Sequence, residues 1–183
     1  MKIIGFIYHP HAGQESNRSW EIVLKGDSCM LNGRKPLFVP DWTSEFGVTD
    51  CLILRVSRLG KEIEPRFAKR YFDAVAPGAD FVAMDIKRQA MKEGTPWTKA
   101  LAFDYSLAIG EWLEYDDTTS VELPQADLVI SLEEAISEAS KLMTIRQGDL
   151  IYIQAKSEPR PAHKEDIIKA ETNGKETLYC KIK

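Results

Sequence analysis

The sequence predicts a β-rich α+β fold, and three observations lead to this prediction. Short runs rich in apolar and β-branched residues recur along the chain, as at 3–8, 49–57 and 150–153. Turn signals such as Asn32-Gly33 and Asn173-Gly174 lie between extended segments, and both residue types tolerate positive φ. Apolar residues at helical spacing occur in only two or three stretches. Strands that outnumber helices without regular alternation are typical of an α+β domain.

Length and composition limit the number of domains and the kinds of partner that we expect. A chain of 183 residues is long enough for a full core, and we expect one domain over 1–183. Its hydrophobic content of 44% and charged content of 28% are ordinary for a globular protein. The net charge of −4 argues against a general nucleic-acid or anionic-membrane surface, so neither is expected as a partner.

The sequence also predicts a cytoplasmic location. No apolar run approaches the roughly 20 residues of a membrane span. The start at 1–6 is too short for a signal peptide, lacks a cleavage site and is predicted to be a strand. Cys29, Cys51 and Cys180 are odd in number and far apart, which indicates neither a disulfide framework nor a structural zinc site.

The first half of the chain is predicted to be mostly extended. After a first strand over 3–8 we expect a second at 21–24. Asn32-Gly33 is the strongest hairpin signal, predicted to join 28–31 to 36–39.

Helical patterns follow. One helix is expected to begin at Pro65 and to end at Pro77-Gly78, and a second to cover 82–93 with Gly94 as its C-cap. Ser131 and Glu134 form a capping box before a third helix. Its apolar stripe is predicted to face the core: Leu132, Ile136, Ala139 and Met143.

Asp80 is the first candidate for a site residue, because an acid between Ala79 and Phe81 after a Pro-Gly break is an unusual local choice. The alternative is that Asp80 caps the helix expected after it. His9 and His11 likewise leave two interpretations open: a metal site, or solvated imidazoles in a loop.

Several short motifs, taken in their order along the chain, indicate resemblance to a known family. They are Arg58-Leu59-Gly60-Lys61, Arg70-Tyr71-Phe72-Asp73, Gly78-Ala79-Asp80-Phe81, Gly94-Thr95-Pro96-Trp97 and Phe103-Asp104, with Lys25-Gly26-Asp27-Ser28 before them and Gly148-Asp149-Leu150-Ile151 after them. In this order they resemble the fumarylacetoacetate hydrolase family. The resemblance covers 1–112 and about 130–182, and the segment 113–130 looks shortened.

The resemblance implies a twisted β-sandwich or roll with two or three helices, usually dimeric. It implies chemistry on 2-oxo or 1,3-diketo acids, namely C–C bond hydrolysis, decarboxylation or isomerisation. A divalent ion, Mg²⁺, Mn²⁺ or Ca²⁺, is held in the family by a Glu-x-Glu pair and an aspartate.

When the family pattern is aligned with this chain, two of the three metal-ligand positions carry other residues. Thr49 and Cys51 stand at the two glutamate positions, on one strand face with Asp50 on the other. Asp80 is the one retained metal ligand, so we expect no divalent cation or a weakly bound one. Cys51 with Asp80 leaves zinc open as an alternative.

Other family positions have also changed. Met84 replaces an arginine, Lys87 a glutamine and Leu101 a lysine, while Gln154-Ala155-Lys156 replaces a Gly-Thr-Pro element. His11 and Glu15 resemble the catalytic dyad, with a spacing of four instead of three.

Two functional hypotheses follow. The leading one is a catalytically degenerate family member, a pseudoenzyme that binds a ligand or pairs with another subunit, as a homodimer or with an active relative. The alternative is an active hydrolase, decarboxylase or isomerase with a rebuilt site. In that case His11 and Glu15 would be the catalytic acid–base pair, Lys87 the substrate-binding residue and a small acidic metabolite the substrate.

Overall fold

A large mixed sheet forms the framework in the computed structural model, which describes residues 1–10, 19–115, 127–172 and 174–183. His11 and Glu15 therefore lie outside the described residues. The bounds of the strands are β1 Ile3–Tyr8, β2 Trp20–Lys25, β3 Met30–Asn32, β4 Phe46–Val56, β5 Phe72–Ala83, β6 Leu107–Ile109, β7 Leu113–Glu114, β8 Leu150–Gln154, β9 Arg160–Pro161, β10 Ile167–Thr172 and β11 Lys175–Lys181. The α-helices are α1 Met84–Glu93, α2 Thr98–Leu101 and α3 Leu132–Leu142.

The main strands lie in the order β2-β1-β8-β4-β5-β6-β3, with β7 paired to β5 and β9 to β4. The two ends of this order, β2 and β3, are separated along the chain only by residues 26–29. A link of that length spans at most about 18 Å, so the opposite edges must approach one another. The sheet is consequently rolled, and the predicted β-rich α+β fold is confirmed.

The two faces of the sheet carry different cores. On the outer face, α3 packs over Leu54 and Ile151, and the β10–β11 hairpin covers Val48 and Phe81. On the inner face, Tyr152 and its neighbours pack against α2. Strand alternation assigns Thr49, Cys51 and Asp80 to this inner face as well.

Several sequence predictions are confirmed. Strands lie where 3–8, 21–24 and 150–153 predict them, and the C-terminal hairpin forms between β10 and β11. Helix α1 ends at Gly94 in the left-handed conformation (φ 67°). The Ser131 side chain accepts a hydrogen bond from the Glu134 N–H, so the capping box is present.

Two helix predictions are wrong. Residues Pro65–Arg70 form a short 3₁₀ helix, and Val75 and Pro77 lie in strand β5 instead of a helix. Asp80 is in the same strand, so it does not cap α1, whose N-cap is Ala83. Strand β5 is buried on both faces, which removes the alternation that would have marked it as a strand.

The predicted Asn32-Gly33 hairpin is also wrong. Strand β3 pairs in parallel with β6, and Leu37 bridges to Ile182 instead of returning along β3. Gly33 keeps the positive φ of a turn residue, 75°, but the chain turns away from the sheet there. Within the described residues, no helix is both long and apolar enough to cross a bilayer.

Candidate functional site

Asp80 lies at the centre of a buried polar network on the inner face of the sheet. Its side chain is about 1% exposed. The Lys25 Nζ donates to Oδ1 at 2.6 Å, and the Gln154 Nε2 donates to Oδ2 at 2.7 Å. Both carboxylate oxygens therefore have a protein partner.

The other members of this network are hydrogen-bonded as well. Lys25 Nζ donates a second bond to the Ser106 hydroxyl at 2.9 Å and a third to the Ser106 carbonyl at 3.2 Å. The Gln154 side-chain oxygen accepts a bond from the Tyr8 N–H at 2.8 Å. An ammonium has three donors, so the fully buried Lys25 has all of them used. The charge of Asp80 is thereby neutralised inside the protein.

Thr49 and Cys51 lie beside this pair, as strand alternation predicts. Thr49 is the cross-strand partner of Asp80, and its buried hydroxyl has no hydrogen-bond partner among the residues that the structure describes. Burial, together with the nearby charge of Asp80, raises the pKa of the Cys51 thiol well above its usual value. Asp50 points to the opposite face, where it binds Arg160 through two hydrogen bonds of 2.8 and 2.9 Å.

These residues do not fit the divalent ion that the resemblance implies. Mg²⁺, Mn²⁺ and Ca²⁺ require several oxygen ligands, preferably anionic. Asp80 supplies the carboxylate, but both of its oxygens already bind Lys25 and Gln154. Zinc would need three or four strong ligands, whereas Cys51 has only Asp80 beside it among the described residues, and both Asp80 oxygens bind Lys25 and Gln154. No group of three or more His, Cys, Asp or Glu residues in the described part of the chain is arranged to hold a metal ion.

A small cleft opens where α1 meets the end of β1. Its volume is about 260 Å³. Its lining includes Tyr8, His9, Met84, Lys87, Arg88 and Glu158. Two of the sequence-predicted positions, Met84 and Lys87, thus meet in one cavity, whereas Leu101 is buried in the inner core.

Lys87 is half-buried in this cleft. Its Nζ lies 5.3 Å from the centre of the Trp97 ring, which in turn contacts the His9 ring at 5.1 Å. Burial lowers the pKa of Lys87, while the negative charges of Glu158 and Asp80 act in the opposite direction. Asp80 and the cleft are therefore electrostatically linked through Lys87.

Sequence reasoning missed the partners of Asp80. Lys25 belongs to the motif Lys25-Gly26-Asp27-Ser28 and Gln154 stands at a changed family position, but neither pattern pairs these residues with Asp80. The available signal was a charged or amide side chain at the end of an apolar strand, at Lys25 after 20–24 and at Gln154 after 150–153. Such residues at buried ends need a polar partner.

Comparison with known proteins identifies the family. The model described as fumarylacetoacetate (FAA) hydrolase C-terminal matches residues 7–183. The chain belongs to the fumarylacetoacetate hydrolase family.

Relatives of this fumarylacetoacetate hydrolase family member carry enzyme names. The mitochondrial oxaloacetate tautomerase FAHD1 of Mus musculus is 23% identical over 177 residues, covering 88% of this chain and 80% of the relative. The mitochondrial oxaloacetate decarboxylase of Dictyostelium discoideum is 23% identical over 193 residues, covering 95% and 88%.

Solved structures share the fold. Fumarylpyruvate hydrolase from Pseudomonas aeruginosa, in complex with Mn²⁺ and pyruvate, superposes with a TM-score of 0.79 at 18% identity, covering 99% of this chain and 88% of that chain. The 5-carboxymethyl-2-hydroxymuconate delta-isomerase from Mycobacterium smegmatis gives 0.80 at 20% identity, covering 99% and 78%.

Proposed function

We infer that this protein is an enzyme that acts on a small 2-oxo acid by hydrolysis, decarboxylation or isomerisation, without a divalent ion. The relatives named above favour an active enzyme over the leading sequence hypothesis of a degenerate one. The proposal depends on one observation, which is that the expected ion position and the cleft are separate. The ion position is filled by the Lys25–Asp80–Gln154 network, while the cleft beside it remains open and contains Lys87.

The cleft suits a small acidic substrate. Its volume of about 260 Å³ is below the usual range for drug-sized ligands but sufficient for a metabolite of a few carbons. Lys87 brings positive charge to the lining, whereas the Arg88 guanidinium is already paired with Glu45 at 2.6 Å. A carboxylate gains most from such charge where water is scarce. In this proposal Lys87 holds the substrate, and His11 with Glu15 remains the candidate acid–base pair.

Turnover of oxaloacetate and of acylpyruvates, measured with and without added Mg²⁺ or Mn²⁺, tests this function. We expect conversion of at least one substrate at a rate that the ions do not change. Lys87→Met and His11→Ala should each lower that rate. Activity that appears only when ions are added, or none on any of these substrates, would contradict the proposal.

A degenerate, cytoplasmic protein remains the second candidate. It is favoured by the replacement of charged groups that the family resemblance predicts, at Thr49, Cys51, Met84 and Leu101. Such a chain would bind an acidic metabolite without converting it, or would dimerise with itself or an active relative. Saturable binding of oxaloacetate without turnover would support this second function.

A further inference from the structure

Conversion of a 2-oxo acid at carbon 3 needs a group that accepts an electron pair. Removal of a proton or of carbon dioxide from carbon 3 leaves a carbanion, and a cation near the carbonyl oxygen ordinarily stabilises it. The inner-face residues of this chain do not fit such an ion. Lys25 cannot replace it in direct contact with substrate, because its side chain is fully buried.

Lys87 is placed to supply a covalent substitute. It lines the cleft with Tyr8, His9 and Glu158. Its Nζ lies 5.3 Å from the centre of the Trp97 ring, and its side chain is half-buried. A partly desolvated lysine amine in a substrate-sized cavity is the usual setting for imine formation with carbonyl compounds.

The electrostatics of the cleft agree with that role. Burial lowers the pKa of Lys87, so a larger fraction of its amine is neutral near pH 7 than for an exposed lysine. Glu158 and Asp80 moderate this shift by favouring the charged form.

We propose that Lys87 is the nucleophile of this enzyme and forms an imine with carbon 2 of a 2-oxo acid substrate. This inference rests on the proposed function and adds its chemical route. It predicts a substrate with a ketone next to a carboxylate, and a proton or carboxylate on carbon 3 that can leave.

The reaction balances without a metal or a redox partner. The neutral Nζ attacks carbon 2, and the carbonyl oxygen leaves as water with one proton from the amine and one from solution. The protonated imine accepts the electron pair of carbon 3 as that carbon loses a proton or carbon dioxide. After loss of carbon dioxide, the resulting enamine takes up a proton at carbon 3. After loss of a proton, an enamine conjugated with a further double bond takes up its proton at the far end of that system, since return to carbon 3 would regenerate the substrate. Water then hydrolyses the imine to give the 2-oxo product and free Lys87.

Borohydride trapping tests the proposal directly. The full chain is incubated with oxaloacetate or pyruvate, reduced with sodium borohydride, digested and mapped by mass spectrometry. We expect a stable secondary amine on Lys87 and irreversible loss of activity that needs both substrate and borohydride. Lys87→Met and Lys87→Arg should abolish the adduct and lower turnover by at least about a hundredfold.

Lys92→Met is the matched control, because Lys92 is an exposed lysine on the same helix. It should retain both the adduct and turnover. Turnover without an adduct on Lys87 would overturn the imine route and leave the proposed function intact. Absence of both turnover and adduct would overturn the two together, and an adduct mapped to another lysine would overturn the assignment.

Discussion

Lys25 Nζ and Asp80 Oδ1 are 2.6 Å apart, although their strands β2 and β5 are separated by three others in the sheet. In a flat sheet, four strand spacings would place them about 19 Å apart. The contact therefore requires the sheet to roll, and it brings an internal ammonium to the carboxylate that the family resemblance predicts as an ion ligand. This ion pair is therefore evidence that the sheet is rolled and that the Asp80 charge is already balanced by an ammonium.

Removal of Lys25 should destabilise the protein strongly. Lys25→Met leaves Asp80 buried and unpaired, which costs about 3–5 kcal/mol in other buried pairs. We expect the free energy of unfolding, measured by urea denaturation at pH 7, to fall by that amount. The double variant Lys25→Met/Asp80→Asn removes both charges of this pair and should recover part of the loss. A single variant as stable as the wild type would show that the pair contributes little.

The ion site should be recoverable by substitution. Thr49→Glu and Cys51→Glu in a Lys25→Met background place three carboxylates on the inner face and remove the competing ammonium. We expect this triple variant to bind Mn²⁺ with a dissociation constant in roughly the micromolar range by calorimetry. Thr49→Gln and Cys51→Gln in the same background keep the volume without the charge and should not bind. Equal binding by both variants would count against the assigned positions.

Asp85 should make the attachment of helix α1 sensitive to acid. Burial alone would raise the pKa of Asp85, but hydrogen bonds from Thr43, Ser44 and the Ile86 N–H outweigh it and hold the pKa well below its usual value. A lowered pKa means that the charged carboxylate stabilises the fold. The contribution is complete above the usual aspartate pKa of about 4 and is lost as the pH falls further.

Asp85→Asn should therefore lower the free energy of unfolding by about 1 kcal/mol at pH 7, a modest value because the site is partly exposed. Denaturation curves between pH 7 and pH 2 measure this difference. We expect it to shrink as the pH falls below about 4, because the carboxylate is protonated first in the unfolded state and only at lower pH in the native state. A difference that stays constant over the whole range would mean that the charge of Asp85 is not responsible.

The sequence predicts correctly those helices and strands whose signals lie in neighbouring residues. The capping box of α3, the C-cap of α1 and the strand at 150–153 depend on neighbouring residues and appear where expected. Strand β5 was mistaken for helix because contacts on both faces hide its period of two. The Asn32-Gly33 turn failed because strand β3 finds its partner far along the chain, in β6.

The candidate site was predictable only in part. The family pattern correctly placed Thr49, Cys51 and Asp80 on one face, since a single strand pair fixes their positions. The partners of Asp80 depend on how the whole sheet rolls, which brings Lys25 from one edge strand across to β5. Local sequence patterns do not predict how strongly the sheet curves.

A calorimetric titration of the wild-type protein with Mn²⁺ at neutral pH is the most direct test of the claim that Lys25 occupies the place of a metal ion beside Asp80. If Lys25 serves as the internal cation for Asp80, binding should be absent below roughly millimolar ion concentration. A dissociation constant in the micromolar range, lost in Asp80→Asn, would show instead that the carboxylate gives up Lys25 for a metal.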